Sequence, residues 1–240
     1  MVSDFYFEKW EIICELISKD FNSIKANEII NHDNDDSWIV IKHDVETNPY
    51  KALKIAEIEN KYSLKCSYYV QGHLILKYPQ IFKRISNMGH EVTYHYDVLD
   101  SNRGDFSLAD SEFEFYLNKF SKLELNVETV CPHGNPLMNR NGWTSNKDFF
   151  RNKKINNKYP HIIDLAIHLP NLLNSYTYIS DAGYSWKKIV NFETNDITNS
   201  GDIRINNITN FLNSIRNDKI ILSTHPHRWE KSKLKNYFNK

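Results

Sequence analysis

The sequence predicts an α/β fold built on a mostly parallel sheet. Apolar segments of strand length alternate with segments of helical periodicity, the connections between them are short, and His and acidic residues gather where the predicted strands end. With 240 residues the chain lies within the roughly 200–250 that α/β barrels use as one domain. Residues 1–240 are therefore expected to form a single domain, as a barrel or an open doubly wound sheet.

The elements follow in order. Phe5, Trp10, Ile13, Leu16 and Ile17 recur at helical spacing between Phe5 and Ser18, which predicts an amphipathic leading helix covering one end of the core. Asn31 to Asp36 is a polar, turn-forming run, after which Trp38-Ile-Val-Ile-Lys-His-Asp reads as a continuous apolar strand that ends in charge. Pro49 near the first helical position and apolar residues at i, i+3 and i+4 predict a helix over 51–62. Cys66 to Val70 is a strand, Pro79 to Met88 a helix closed by Gly89, and His90 to Tyr96 a strand. A helix near Leu108–Leu123, a strand from Glu128 to Cys131, strands near Ile162–Ala166 and Tyr176–Ser180, a helix over Ile205–Arg216 and a last strand over Lys219–His225 complete the pattern. There is no internal repeat or low-complexity tail.

Composition excludes several function classes. Lys plus Arg equals Asp plus Glu at 30 each, with no basic block, so the electrostatic footprint of a nucleic-acid binder is missing. No apolar stretch approaches the roughly 20 residues of a membrane span, and no membrane insertion is expected. The first residues lack the pattern of a signal peptide, so a cytoplasmic location is expected. Cys14, Cys66 and Cys131 are too widely spaced for a Cys-x-x-Cys zinc site, which leaves His and carboxylates as metal donors. Dinucleotide, P-loop and nucleophile-elbow motifs are missing.

In parallel α/β folds ligands bind at the carboxyl ends of the strands. Here those ends carry His43-Asp44-Val45-Glu46, His95-Tyr96-Asp97, Cys131-Pro132-His133-Gly134-Asn135-Pro136, Ser180-Asp181 and His225-Pro226-His227-Arg228-Trp229. Imidazoles and carboxylates together suit a borderline divalent cation such as zinc, with a position left for water. Such a site can hydrolyse an amide, with a carboxylate as base and a histidine protonating the departing amine. Each element has a plainer reading: Asp44 could cap the next helix, His133 could close a turn, and Asp181 could belong to a simple turn. Their coincidence at strand ends is the signal.

These segments resemble the motifs of the polysaccharide deacetylase-like, or NodB-homology, carbohydrate esterase family. Ile39-Val-Ile-Lys-His-Asp-Val-Glu-Thr is similar to the first motif in its Arg-His-Asp-Val-Asp variant, and Gly89-His-Glu-Val-Thr-Tyr-His-Tyr-Asp to the second. Cys131-Pro-His-Gly-Asn-Pro-Leu resembles the third and Leu222-Ser-Thr-His-Pro-His-Arg-Trp the last, so the resemblance covers roughly Trp38 to Trp229. It implies a distorted (β/α) barrel, here with an added N-terminal helix, and a divalent metal bound by one Asp and two His. The reaction it implies is removal of acetyl groups from sugars. Carried over, Asp44 and His95 match metal ligands and His225 the general acid. The similar subgroup is associated with surface-polysaccharide biosynthesis, which implies a nucleotide- or lipid-linked sugar substrate.

The sequence also departs from the family pattern. Leu99 stands where the second metal histidine is expected, and His133 is the candidate replacement. Glu46 is the candidate base, although Glu46 could take the metal and leave Asp44 as base. Asp181, Trp186, Asn135, His227 and Arg228 are candidates for binding substrate, with Tyr184 nearby. Two other readings of the same residues are a sugar-binding barrel that has lost catalysis and a metal-dependent sugar lyase or isomerase.

Overall fold

The segment Trp38–Val45 is buried along its whole length, which explains why it reads as a continuous apolar run: it is a central strand covered on both faces. The computed structural model describes residues 5–32, 36–190 and 201–231. Its strands are β1 (Ser23–Ile24), β2 (Trp38–Val45), β3 (Ser67–Gln71), β4 (Glu91–Tyr96), β5 (Thr129–Pro132), β6 (Ile163–Asp164), β7 (Thr177–Ser180), β8 (Lys187–Lys188), β9 (Ile203–Arg204) and β10 (Lys219–Thr224). They form one sheet in the order β6-β5-β4-β3-β2-β10-β7-β8-β9, with β1 beside β2. The pairs from β6 through β7 are parallel.

The predicted α/β class with a mostly parallel sheet is what the fold has, and three details sharpen it. No strand pairing among the described residues joins β6 to β9, so the sheet is open along this path rather than a closed barrel. Its far edge is an antiparallel pair of two-residue strands, β8 and β9, too short to show any periodicity in sequence. The short β1 was also not anticipated. It pairs with the first half of β2 while β3 pairs with the second half, so two strands share one edge of β2.

The helices are α1 (Phe7–Asp20), α2 (Pro49–Lys61), α3 (Gly72–Lys77), α4 (Pro79–Asn87), α5 (Val98–Ser101) and α6 (Phe106–Lys122), followed by short helices over 148–158, 169–172 and 208–214. Pro opens α2 and α4, where a missing N–H costs nothing and its fixed φ suits the first turn. Gly89, at φ 89°, takes the left-handed conformation that turns the chain from α4 into β4. Asp105 caps α6 by accepting from the backbone of Ser107 and Leu108.

The two faces of the sheet differ. Ile39, Ile41 and Val45 of β2 face the helices and join a core with Tyr68, Tyr94, Phe113 and Trp229. Trp38 and Val40 alternate onto the other face, with Tyr69, Cys131, Tyr178 and Ile221. That face also carries buried Lys42, Asp44, Thr93 and His95, so the inside of the curved sheet is polar towards the strand ends.

The leading helix starts at Phe7 rather than Phe5, because the residues before it pair with the end of the described chain. Tyr6 bridges Glu230 in parallel, with Phe7 N donating to the Glu230 carbonyl at 2.9 Å and Glu230 N to the Phe5 carbonyl at 3.0 Å. Phe5 packs edge-on against Trp229 at 5.2 Å and beside Trp186 at 5.6 Å. Among the described residues no helix is long and apolar enough to cross a membrane.

Candidate active site

The side chains singled out at the strand ends meet around Glu46. Its Oε1 lies 3.4 Å from His133 Nε2 and 3.9 Å from both His95 Nε2 and His225 Nε2, while Oε2 lies 3.8 Å from His227 Nδ1. The ends of three parallel strands, β4, β5 and β10, therefore converge on the carboxylate that follows β2. Burial works against its charge, but the His133 ring 3.4 Å away and the nearby His95 and His225 rings outweigh it and hold Glu46 far below the usual carboxylate range.

His95 has the features of a prepared ligand. It is 1% exposed, and its Nδ1 lies 3.0 Å from the Cys131 carbonyl, which can only accept. In the neutral ring the proton is therefore on Nδ1, and Nε2 presents a bare lone pair. That nitrogen is buried and has no hydrogen-bond partner. A buried nitrogen without a partner is costly, and a cation offsets this cost. Ligand atoms of Glu46, His95 and His133 all lie within 4.8 Å of one another. This donor set, two imidazoles and a carboxylate, fits zinc with a coordination position to spare.

Asp44 sits differently from expectation. The trio of Asp44, His95 and His133 is not among the described groups with ligand atoms that close; Asp44 groups instead with His95 and Cys131. The physical reason is Lys42, two residues back on the same face of β2 and 1% exposed. Its ammonium lies 2.6 and 2.7 Å from the two Asp44 oxygens. Burial opposes charge on both, yet the pairing prevails: Lys42 is raised well above its ordinary value, and Asp44 is lowered to about 2. The other Lys42 partners are Tyr178 Oη and Ser223 Oγ, each at 3.4 Å. Asp44 Oδ2 remains 3.9 Å from His225 Nε2.

His225 is oriented by Asp181. Its Nδ1 lies 2.5 Å from Asp181 Oδ1, which directs Nε2 towards Glu46 and Asp44. The Thr224 hydroxyl donates to Asp181 Oδ2 at 2.7 Å, the His225 backbone N–H donates to the same oxygen at 3.0 Å, and Arg228 donates to Oδ1 at 3.0 Å. Trp229 Nε1 donates to the Thr224 hydroxyl at 2.8 Å, which fixes the far end of this chain of hydrogen bonds in the core. The expectation that Asp181 lines a sugar pocket is thereby corrected, since its side chain is fully buried and both oxygens are in use. Trp186 is likewise a packing residue, 7% exposed beside Phe5 and Trp229.

The remaining candidates are placed as follows. His227 is half-buried, with its Nδ1 without a hydrogen-bond partner, and burial lowers its pKa. Arg228 grips Asp181 and lies 5.6 Å over the Tyr184 ring, leaving its head little exposed. Asn135 uses Oδ1 to accept from Leu137 N at 3.3 Å, within its own turn. His43 belongs elsewhere: adjacent to Asp44 on a pleated strand, it points to the helix side, where its Nε2 lies 2.6 Å from Glu59 Oε1. Glu59 is fully buried and also accepts from Trp10 Nε1 at 3.2 Å and from the Tyr68 hydroxyl.

The sequence reading missed Lys42 and Asn146. Asn146 is fully buried and donates to the His133 carbonyl and to Asp100 Oδ2, both at 2.9 Å. Arg140 makes a two-pronged pair with Asp100 at 2.7 and 2.8 Å, so the segment after His133 is fastened to α5. These contacts fix the segment that carries His133, whereas Leu99 is buried in the hydrophobic core. The run from Asn139 to Lys147, polar apart from Gly142 and Trp143, gave no hint of this pinning.

No family model matches the sequence, and no curated protein matches it. Among solved structures it is similar to a family 4 carbohydrate esterase from Streptomyces lividans in complex with acetate, at 15% identity and a TM-score of 0.40. That match covers 53% of this chain and 61% of the esterase, so the chain spans less than two thirds of that protein. It is also similar to the peptidoglycan deacetylase PdaC from Bacillus subtilis, at 16% identity, covering 80% of this chain and 90% of that one with a TM-score of 0.38. A CE4 family pseudoenzyme from Bacillus anthracis matches at 15% identity and a TM-score of 0.40, covering 87% and 59%.

Proposed function

We propose that this protein is a metal-dependent hydrolase that removes an acetyl group from an amino sugar, small or lipid-linked, of the kind used in building surface polysaccharides. The observation that carries the reading is the bare, buried Nε2 of His95, which shares a ligand cluster with Glu46 and His133 beside a histidine oriented by Asp181. In this reading Glu46, His95 and His133 hold the ion, and zinc suits their donors. When bound, the ion polarises the amide carbonyl and acidifies the attacking water.

The chain's own groups do the rest. Asp44, held ionised by Lys42, accepts the proton of the water as its oxygen bonds to the carbonyl carbon. His225, as the imidazolium, passes its Nε2 proton to the amide nitrogen while the C–N bond breaks, giving acetate and a free amine. Asp181 keeps the ring aimed and offsets its positive charge. Cys131, buried beside Asp44 and His95, keeps the inner side of the site dry, which strengthens these electrostatic contacts.

The test is acetate release from N-acetylated amino sugars presented free, nucleotide-linked and lipid-linked, with and without a chelator. Wild type is expected to release acetate from one class, to lose activity in chelator and to regain it with zinc. His95→Ala is expected to bind zinc at least about ten-fold more weakly and to be inactive. Zinc-loaded protein that releases acetate from none of them would remove the hydrolytic reading.

A further inference from the structure

Two sets of ligands overlap at the end of the sheet. Glu46, His95 and His133 form the outer one, and Asp44, His95 and Cys131 form a second, wholly buried one. His95 belongs to both but has a single bare nitrogen, because Nδ1 is committed to the Cys131 carbonyl. A cation bound through that nitrogen must side with one set. The buried set includes a thiol, a soft donor that favours zinc and cobalt, so donor chemistry alone does not send the ion outward.

What distinguishes the two is an ammonium. Lys42 Nζ stands 2.6 Å from Asp44 Oδ1 and 2.7 Å from Oδ2. The same ammonium lies 3.4 Å from Tyr178 and Ser223 and 5.4 Å from the centre of the Tyr69 ring. It takes up the carboxylate that the buried set needs, and a second cation brought to Asp44 would face it at close range in a water-poor interior. We infer that Lys42 is a built-in cation that closes the Asp44–His95–Cys131 set and directs a divalent ion to Glu46, His95 and His133, next to His225. This rests on the metal reading above and assigns Lys42 as a positioning residue that chooses between two sites. Without the ammonium, Asp44 would be a buried carboxylate lacking a counter-ion, and the ion would move inward to supply one.

Cobalt(II) makes the choice visible, because a cobalt–thiolate bond adds a charge-transfer band in the near ultraviolet. Wild type loaded with cobalt is expected to lack that band. Lys42→Met is expected to bind one equivalent and to show it, Lys42→Met/Cys131→Ser to lose it again, and Lys42→Arg, which keeps a cation in place, to resemble wild type. Lys42→Gln serves as a second variant should the methionine disturb folding, with far-ultraviolet circular dichroism as the check. A thiolate band already present in wild type, or cobalt-loaded Lys42→Met and Lys42→Gln without one, would overturn the inference. Failure of wild type to take up cobalt would instead overturn the metal reading, while a band in Lys42→Met would still identify Lys42 as the group that closes the buried set.

Discussion

Glu46→Gln is expected to lower turnover by about 10²–10⁴-fold, the range that follows loss of a carboxylate essential to proton transfer or charge stabilisation. Glutamine keeps the size of the side chain, so the loops around it need not move, and the change isolates the charge. That charge faces His133, His95, His225 and His227. Metal content separates the two roles the carboxylate could have. As a ligand, Glu46 takes bound zinc down with turnover, and excess zinc restores part of both. As the base, its loss leaves zinc in place. Near-normal turnover in a fully folded Glu46→Gln would remove Glu46 from the chemistry.

Asp181→Asn is expected to cut kcat by a similar factor for a different reason. The asparagine amide can turn its NH2 towards His225 Nδ1, which leaves that nitrogen unprotonated and removes the charge that favours the imidazolium needed to donate from Nε2; the aspartate-to-asparagine change in a serine-protease triad, a known example of losing the same support, costs about 10⁴-fold. Asp181 is fully buried and touches no open space, so KM and bound zinc are expected to stay near wild type. The substitution also leaves Arg228 without its charged partner, and a stability loss of up to about 3–5 kcal/mol is expected from breaking a buried pair. Kinetics are therefore read well below the melting temperature of the variant. A rise in KM with unchanged kcat would return Asp181 to a substrate-binding role.

The central sheet was legible because burial on both faces leaves long apolar runs in β2 and β10, and Pro49 and Gly89 punctuate the helices between strands. Elements of two residues, β1, β8 and β9, have no period to read, and they form the side pairing and the antiparallel edge that the sequence did not reveal. The strand-end rule located Glu46, His95, His133 and His225. It could not rank Asp44 against Glu46, since residues two apart on a strand face the same way, and the deciding partner, Lys42, reads in sequence as a polar interruption of an apolar strand. The same alternation turns His43 to the opposite face, although the sequence reading placed it with the strand-end residues. Asp181 was misjudged because its partner lies 44 residues away, a distance that no local pattern spans.

The seam between the two ends of the described chain has a consequence for inactivation. The loop bearing His225 and His227 is stitched down where residue 6 meets residue 230, and Lys51 adds a tether by donating to the His227 carbonyl at 2.8 Å and to Glu230 at 2.7 Å. Closing so long a stretch carries a large entropic cost, and among the described residues its fastening is one bridge, the Lys51 tether and a few aromatic edges. On warming, that stitch is expected to open before the sheet melts, so tryptophan fluorescence and acetate release would fall together while far-ultraviolet circular dichroism still reports intact strands and helices. Simultaneous loss of all three signals would mean that the seam is as durable as the sheet it closes.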